Sequence, residues 1–327
     1  MSISPGSMTV HVWSIPMTTR FRGITVREGV LIETDRPGSG AGWGEFSPFV
    51  EYDDSVAAPW LACALEAARG DWPAAVRDTV PVNVTVPAVG PEDARRIVLA
   101  SSGCRTAKVK VADPGETLGD AQARLEAVRD ALGSGGRIRI DVNGLWSVDE
   151  ALAGIPVLDR AAGGLEYVEQ PCMAVEDLAL VRRRVDVPIA ADESIRRAAD
   201  PYRVRELHAA DVAVLKVQPL GGVQACLRIA EDIGLPVVVS SALESSVGIA
   251  AGVALAAALP ELPYACGLAT GQLLTDDLVA EPLRVVDGEL GVVMPRVSHG
   301  SLSASQADPD RAAWWTDRVR RVSELLD

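Results

Sequence analysis

The sequence is short of the side chains that many enzymes use for zinc binding or nucleophilic catalysis. Its three histidines are far apart along the chain: His11, His208 and His299. A histidine-based zinc site or a Ser-His-Asp triad is therefore not expected, and neither a GxSxG nor a phosphate-binding GxxxxGK[ST] motif occurs. The five cysteines are scattered and form no CxxC pair, so we expect reduced thiols rather than a disulfide framework.

Long apolar runs and basic charge are also scarce. No run of about 18 uninterrupted apolar residues occurs, so no transmembrane helix is expected. The amino terminus lacks the basic start and apolar core of a signal peptide, which favours a cytoplasmic protein. A net charge of −14 argues against nucleic-acid and anionic-membrane partners. A small anionic substrate would need a local positive centre, such as a metal ion or buried lysines. The oligomeric state is left open, and a monomer is compatible with the sequence.

Short apolar segments alternate with helix-like segments through the middle of the chain. The predicted strands are 81–86, 106–111, 138–142, 165–169, 188–192, 212–216, 236–240 and 264–267. Strands that alternate with helices form parallel β-α units, and eight of them favour a closed β/α barrel. An open doubly wound sheet is the alternative, because periodicity alone does not exclude it.

The two ends of the chain break this alternation. Residues 1–80 predict three strands followed by helices at about Ser55–Ala68 and Pro73–Asp78. The glycine-rich stretch Gly38–Gly44 does not have GxGxxG spacing and predicts a tight turn between strands. The tail from about residue 278 predicts short strands and a final helix, which we expect to pack on the amino-terminal unit.

Charged residues end five consecutive barrel strands. They are Lys110, Asp141, Glu169, Asp192 and Lys216. An isolated charge at a strand end is usually a solvated boundary residue, and an isolated KxK is usually the wet face of an amphipathic strand. Carboxyl ends of parallel barrel strands meet at one rim, however, where active sites lie. Since all five strands carry the feature in order, we expect one pocket that contains these five side chains.

The residue types indicate the chemistry of that pocket. Three carboxylates on adjacent strands are hard oxygen ligands that suit Mg²⁺, and histidine and cysteine ligands are absent from the set. A lysine that is partly desolvated beside another cation has a lowered pKa and can act as a base. The pattern therefore predicts removal of a proton α to a carboxylate, with a metal ion neutralising the enediolate charge.

The ordered motifs resemble those of the enolase superfamily. The matching segments are KVK (108–110), IDVN, EQP, ADES and LKVQPLGG. Lysines on both the second and the sixth strand resemble the muconate-lactonizing branch. This resemblance covers nearly the whole chain. It implies a modified (β/α)7β barrel at 81–277 with an α+β capping domain formed by 1–80 and 278–327.

Three further stretches resemble o-succinylbenzoate synthases of the actinobacterial type: SSALESSVG (240–248), RFRG (20–23) and VPIAADESIR. The resemblance implies a hydro-lyase that uses Mg²⁺, for which Mn²⁺ can substitute. Its reaction is the syn dehydration of 2-succinyl-6-hydroxy-2,4-cyclohexadiene-1-carboxylate to 2-succinylbenzoate in menaquinone biosynthesis.

The same resemblance implies a role for each site residue. Lys110 is the base, Lys216 stabilises the enediolate and Lys108 lowers the pKa of Lys110. The implied Mg²⁺ ligands are Asp141, Glu169 and Asp192. The implied substrate-binding residues are Ser240, Ser241, Glu244, Arg20, Arg22 and Asn143. For the two arginines a surface hairpin is an equal alternative, and Asn143 and Glu193 are also candidates for supporting the metal ligands.

Two other functions stay open at the level of sequence. An N-succinylamino acid racemase would use the same two lysines from opposite faces of its substrate, alone or beside the synthase activity. A barrel that binds a metal or an anion without turnover is a more distant alternative. The last strand, YACGLATG, lacks the DxD typical of dipeptide epimerases, which counts against that activity.

Overall fold

The amino-terminal part of the chain forms a three-stranded antiparallel sheet. The computed structural model describes residues 8–21, 23–36, 40–197 and 201–326. The strands are β1 (Met8–Phe21), β2 (Ile24–Arg36) and β3 (Gly40–Phe46), with β2 in the centre. Their buried face packs on helix α1 (Asp54–Arg69), whose start is capped by the side chain of Asp53.

The turn predicted for the glycine-rich stretch is wrong for Gly40–Gly44, which belong to β3. Positions 37–39 lie outside the described residues, and strand β3 already begins at Gly40. A Cβ atom added at Gly44 would lie 1.8 Å from the carbonyl oxygen of Ala64. Glycine is required there because it lets α1 approach the sheet backbone closely.

Strands and helices then alternate through the rest of the chain. The elements after α1 are β4 (Thr79–Pro81), β5 (Val84–Val86), α2 (Pro91–Leu99), β6 (Thr106–Lys110), α3 (Leu118–Leu132), β7 (Arg137–Asp141), α4 (Val148–Ala162), β8 (Val168–Glu169), α5 (Val175–Arg182), β9 (Ile189–Ala191), α6 (Glu193–Arg196), α7 (Arg203–Glu206), β10 (Val212–Lys216), α8 (Val223–Ile233), β11 (Val237–Ser240), α9 (Ser246–Ala258), a 3-10 turn (Gly271–Leu273), β12 (Glu289–Gly291), α10 (His299–Ala304) and α11 (Pro309–Ser323). Seven of these strands form one parallel sheet in the sequential order β5 to β11.

The parallel sheet closes into a barrel through a short eighth segment. Cys266 bridges Val82 beside β5, and Gly267 bridges Ser240 at the end of β11, both in parallel. Backbone bonds support both contacts: the Cys266 N–H donates to Pro81 O at 2.7 Å, and the Gly267 N–H donates to Val239 O at 2.8 Å. The barrel prediction is confirmed, and the open-sheet alternative is wrong.

The carboxy-terminal tail returns to both parts of the chain. Strand β12 pairs antiparallel with β4, and helix α11 packs against α1 and β1. Arg311 pairs with Glu28 of β2, and Arg321 donates to Asp54 at 2.7 Å. We propose the domain division at 80/81 and 277/278 on the basis of these contacts.

The helix predicted at Pro73–Asp78 is wrong. This segment runs from α1 to β4 without helical turns. Its polar groups bond instead to the end of α9: the Val76 N–H donates to Ala257 O at 2.8 Å, and Arg77 donates to Pro260 O at 3.2 Å. Among the described helices, we find none with the length and apolarity needed to cross a membrane.

Candidate active site

Three of the predicted site residues stand side by side on neighbouring barrel strands. In the sheet register Lys110 lies opposite Asp141, and Asp141 lies opposite Glu169. Asp192 follows directly after β9, and Lys216 ends β10 in register with Ser240. The parallel register therefore brings all five predicted strand-end charges to the same rim.

Lys108 lies inside the barrel beneath that rim and is 6% exposed. Its Nζ atom lies 2.9 Å from Glu169 Oε1 and 3.0 Å from Asp141 Oδ2. Burial opposes the charge on this amine, but the two carboxylates outweigh burial and raise the pKa of Lys108 well above its ordinary value. Lys108 is therefore an ammonium group that binds two carboxylates.

Lys110 lies one step nearer the mouth of the pocket, on the same face of β6. Its Nζ atom donates to Asp141 Oδ2 at 2.5 Å and to Asn143 Oδ1 at 2.7 Å. Burial lowers the pKa of Lys110, and Lys108 lowers it further, although Asp141 acts in the opposite direction. The two lysines thus differ in the direction of their pKa shifts, which is the arrangement expected when one amine supports another that acts as a base.

Lys216 and Arg196 bind Asp192 from two sides. Lys216 Nζ donates to Asp192 Oδ2 at 2.5 Å, and Arg196 Nε donates to Asp192 Oδ1 at 2.7 Å. Arg196 also donates to Glu193 Oε1 at 2.6 Å. Burial opposes ionisation of Asp192, but Arg196 and Lys216 hold its pKa well below the usual range.

The pKa of Glu169 is shifted upward, in contrast to that of Asp192. Burial and then Asp141 raise the pKa of Glu169 to about 7, against the influence of Lys108. For Asp141 itself, Lys108 and Lys110 overcome burial and hold the pKa well below its usual value. Adjacent carboxylates disfavour each other's ionisation, so a divalent cation among them would restore the charge of Glu169.

The acidic residues offer donors that fit a divalent metal ion. Asp141, Glu169 and Asp192 present only oxygen atoms, which suit a hard cation. Glu193 Oε2 is buried and, among the described atoms, has no hydrogen-bond partner. Lysine and arginine head groups lie between the carboxylates, and within the described ranges no three His, Cys, Asp or Glu side chains form a group spaced for one ion. The oxygen donors fit a hard cation by their chemistry, whereas their present spacing does not, because Lys108, Lys110, Lys216 and Arg196 pair with the carboxylates.

A pocket opens above these charges between the barrel rim and the amino-terminal part of the chain, which contributes Phe49 and, from α1, Trp60. Its charged and amide residues are Lys108, Lys110, Asn143, Arg196 and Lys216. One wall carries small polar groups: Thr85, Ser240, Ser241, Gly267 and Thr270. The remaining lining is apolar: Phe49, Trp60, Pro219, Ala242 and Leu243. A pocket with a charged floor and an apolar cover suits a small carboxylate that has a ring or an alkyl chain.

The predicted substrate-binding residues divide into two groups. Ser240, Ser241 and Asn143 line the pocket, and Ser241 Oγ lies 2.7 Å from Thr270 Oγ1. Arg20 lies near the end of β1 with an exposed side chain, and Arg22 lies outside the described residues.

Glu244 faces its own loop. Its Oε2 atom accepts from the Ala242 N–H at 2.7 Å, and the residue is 3% exposed. The Ser241 N–H donates to Gly267 O, and the Ser245 N–H donates to Glu45. These three amides satisfy buried acceptors of the protein, and the hydroxyl-bearing residues Ser240 and Ser241 line the pocket.

Sequence reasoning missed Arg196 and Gln170. Arg196 lies one helical turn after Asp192, a spacing that brings i and i+4 side chains together. Gln170 Oε1 accepts from the N–H groups of Asp192 at 2.9 Å and Ser194 at 3.1 Å, so it fixes the start of the ADES segment. The EQP motif could have indicated Gln170, because a buried side-chain amide next to a predicted metal ligand needs hydrogen-bond partners.

The chain has only three lysines, and all three line this pocket: Lys108, Lys110 and Lys216. Arginine and not lysine supplies every other strongly basic side chain of the sequence. Every side-chain amine that can lose its proton therefore lies in the site, since arginine stays protonated in proteins.

Comparison with known proteins agrees with the fold. Residues 12–68 match the family model described as enolase N-terminal domain-like, and residues 92–296 match the one described as enolase C-terminal domain-like. The fold and site thus define a β/α-barrel enzyme of the enolase class with a capping domain.

Individual relatives identify the family within this class. The chain is 64% identical to the o-succinylbenzoate synthase of Thermobifida fusca over 307 residues, which is 94% of each chain. A muconate lactonizing enzyme from Pseudomonas fluorescens matches in structure with a TM-score of 0.79 and 23% identity, over 92% of this chain and 98% of that one. An N-succinyl Arg/Lys racemase from Bacillus cereus matches with a TM-score of 0.78 and 20% identity, over 92% and 98%. The chain belongs to the enolase superfamily and, within it, to the family of o-succinylbenzoate synthases.

Proposed function

We propose that this chain catalyses the syn dehydration of 2-succinyl-6-hydroxy-2,4-cyclohexadiene-1-carboxylate to 2-succinylbenzoate, a hydro-lyase reaction of menaquinone biosynthesis in the cytoplasm. The 64% identity to a named o-succinylbenzoate synthase over 94% of both chains supports the reaction. The observation that carries the mechanism is the pair of pocket lysines, Lys110 and Lys216, on either side of three strand-end carboxylates.

Lys110 is the proposed base. It takes the proton from the ring carbon that bears the carboxylate, and the C–H electron pair moves into that carboxylate to give an enediolate. The pair then returns to the ring, the neighbouring C–O bond breaks, and the hydroxyl leaves as water with a proton from Lys110. A syn elimination permits one group to serve both steps, since both departing groups lie on one ring face.

The other charged residues orient the substrate and stabilise its negative charge. Asp141, Glu169 and Asp192 are the residues that would hold the metal, which we propose to be Mg²⁺, with Mn²⁺ as a substitute. When bound, the cation supplies positive charge for the substrate carboxylate oxygens. Lys216 faces the ring from the side opposite Lys110, and Lys108 keeps a positive charge beside Lys110, which favours the neutral form of that base.

Racemisation of N-succinylamino acids is a second candidate activity of the same site. Strands β6 and β10 are separated by three strands in the barrel order, so Lys110 and Lys216 approach the pocket from different sides. With an N-succinylamino acid, one amine would remove the α-proton and the other would return a proton to the opposite face. Dehydration and racemisation begin with the same enediolate, so only the substrate separates them.

The test of this function follows the ultraviolet absorbance of the cyclohexadiene substrate. We expect its rapid loss with Mg²⁺, loss of at least 99% of the rate after treatment with EDTA, and recovery on adding back excess Mg²⁺. A barrel that binds a metal or an anion without turnover would give no conversion under any condition. Absence of conversion in a folded protein that binds metal would reject the synthase function, and deuterium exchange at the α-carbon of N-succinylamino acids would then test the racemase.

A further inference from the structure

Arg27 is a buried cation of the capping sheet that reaches the pocket wall. It lies on β2 and is 2% exposed. Its Nε atom donates to Leu243 O at 3.0 Å, and its Nη2 atom donates to Ala242 O at 3.3 Å. Both of these residues line the pocket. One side chain of the cap therefore binds two consecutive carbonyl groups of the barrel loop.

The same guanidinium is also bound to the cap. Nη1 donates to Glu28 O at 3.1 Å, and Nη2 donates to Ser47 O. Its planar face lies 4.6 Å from the ring centre of Phe49, another pocket residue. Because the donors of arginine have a rigid planar arrangement, the group cannot follow the loop without leaving these partners. It thus fixes the loop relative to the cap.

The segment that Arg27 holds has an uncommon backbone conformation. Leu243 has φ of +68°, in the left-handed region that a leucine rarely adopts. Such a conformation persists where surrounding contacts determine it. The carboxylate of Glu244 binds the Ala242 N–H on one side of the segment, and Arg27 binds the Ala242 and Leu243 carbonyls on the other.

We infer that Arg27 is a positioning residue that holds Ala242 and Leu243 in the shape that binds the part of the substrate remote from the reacting carbon. The inference rests on the proposed function for its kinetic consequence only. Lys110 and Lys216 are held by Asp141 and Asp192, so the reacting groups keep their own supports when Arg27 is changed. Arg27 therefore acts on substrate binding more than on proton transfer.

Arg27→Lys tests this role, because lysine keeps the charge but has one nitrogen in place of the planar fork. We expect KM to rise about tenfold, the effect of losing one to two hydrogen bonds to a charged donor, with kcat changed by less than about threefold. Hydrogen exchange of the amides in 241–245 should accelerate at least tenfold in the substrate-free variant, since the loop loses its link to the cap.

The matched control is Arg129→Lys. Like Arg27, Arg129 donates hydrogen bonds to backbone carbonyls: Ala162 O at 2.6 Å, Gly133 O at 2.8 Å and Gly136 O at 2.7 Å, on the outer side of the barrel. The Arg129→Lys substitution removes the same kind of interaction but should leave KM and the hydrogen exchange of 241–245 unchanged. An equal rise of KM in both variants would show a general effect on stability and overturn the inference.

Three results for Arg27→Lys would also overturn it: unchanged exchange in 241–245, unchanged KM, or a loss confined to kcat. If this variant does not fold, amide hydrogen exchange in the wild type is the test. The inference requires slow exchange of the Ala242 and Ser245 amides without substrate, and fast exchange contradicts it. A wild type that fails to convert the cyclohexadiene substrate would count against the proposed function, while the exchange experiment would still decide the role of Arg27.

Discussion

Replacing Lys110 by alanine is expected to lower kcat about a thousandfold while metal binding is retained. General base catalysis contributes on the order of 10² to 10⁴ in rate, and this chain offers no other lysine that binds both Asp141 and Asn143. Removing the cation from Asp141 leaves that carboxylate with Lys108, so its ability to bind a metal should persist or increase. The measurement is the rate of substrate absorbance loss, with Mn²⁺ binding followed in parallel by electron paramagnetic resonance.

Lys110→Arg separates the role of a base from that of a positive charge. Arginine keeps the charge beside Asp141 but does not give up its proton at neutral pH, so this variant should be about as inactive as the alanine variant. If Lys110→Arg kept more than a tenth of the wild-type rate, Lys110 would be an electrostatic group, and the assignment of the base would fail.

Lys216→Ala is expected to lower kcat by about 10² to 10³, the usual effect of removing one group that stabilises a developing anion. Asp192 keeps its bond to Arg196 at 2.7 Å, so the acidic group itself remains paired and the fold should be preserved. Far-ultraviolet circular dichroism and Mn²⁺ binding would verify this, and the rate is measured as for Lys110.

The arginine variant should behave differently at this position. Lys216→Arg retains a cation opposite the base, so its kcat should be at least tenfold higher than that of Lys216→Ala. Lys110→Arg should show no such recovery. Dehydration that survives in Lys216→Ala at near the wild-type rate would show that Lys216 stabilises no charge in that reaction. Its role would then be limited to returning a proton in a racemisation.

Much of the rim could be predicted because strand geometry is simple. Side chains two apart on a strand share a face, and parallel strands end at the same side of a barrel, so Lys110, Asp141 and Glu169 follow from the sequence alone. The observed register places these three in one row. The lysine face of β6 is covered, since Lys108 is 6% exposed, so the KxK pair is not the wet face of an amphipathic strand.

The parts that depend on contacts between distant segments could not be predicted. The Glu244 side chain points into its own loop because it accepts a hydrogen bond from the Ala242 N–H. The bond between Arg27 and Leu243 joins residues more than 200 positions apart. The apolar cover of the pocket, Phe49 and Trp60, comes from the cap and leaves no pattern in the barrel sequence. Such features depend on how two layers pack, which neither strand period nor motif spacing specifies.

The most direct test of the mechanism is acylation of the lysines in the metal-loaded enzyme, because this chain has only three of them. A neutral amine reacts with an acylating reagent and an ammonium does not. The exposed fraction of the side chain is 15% for Lys110, 9% for Lys216 and 7% for Lys108, so Lys110 is also the most accessible. We predict that mass spectrometry finds Lys110 acylated first, that activity falls in proportion to its modification, and that 2-succinylbenzoate prevents both. Full acylation of Lys110 with the activity retained would contradict its role as the base.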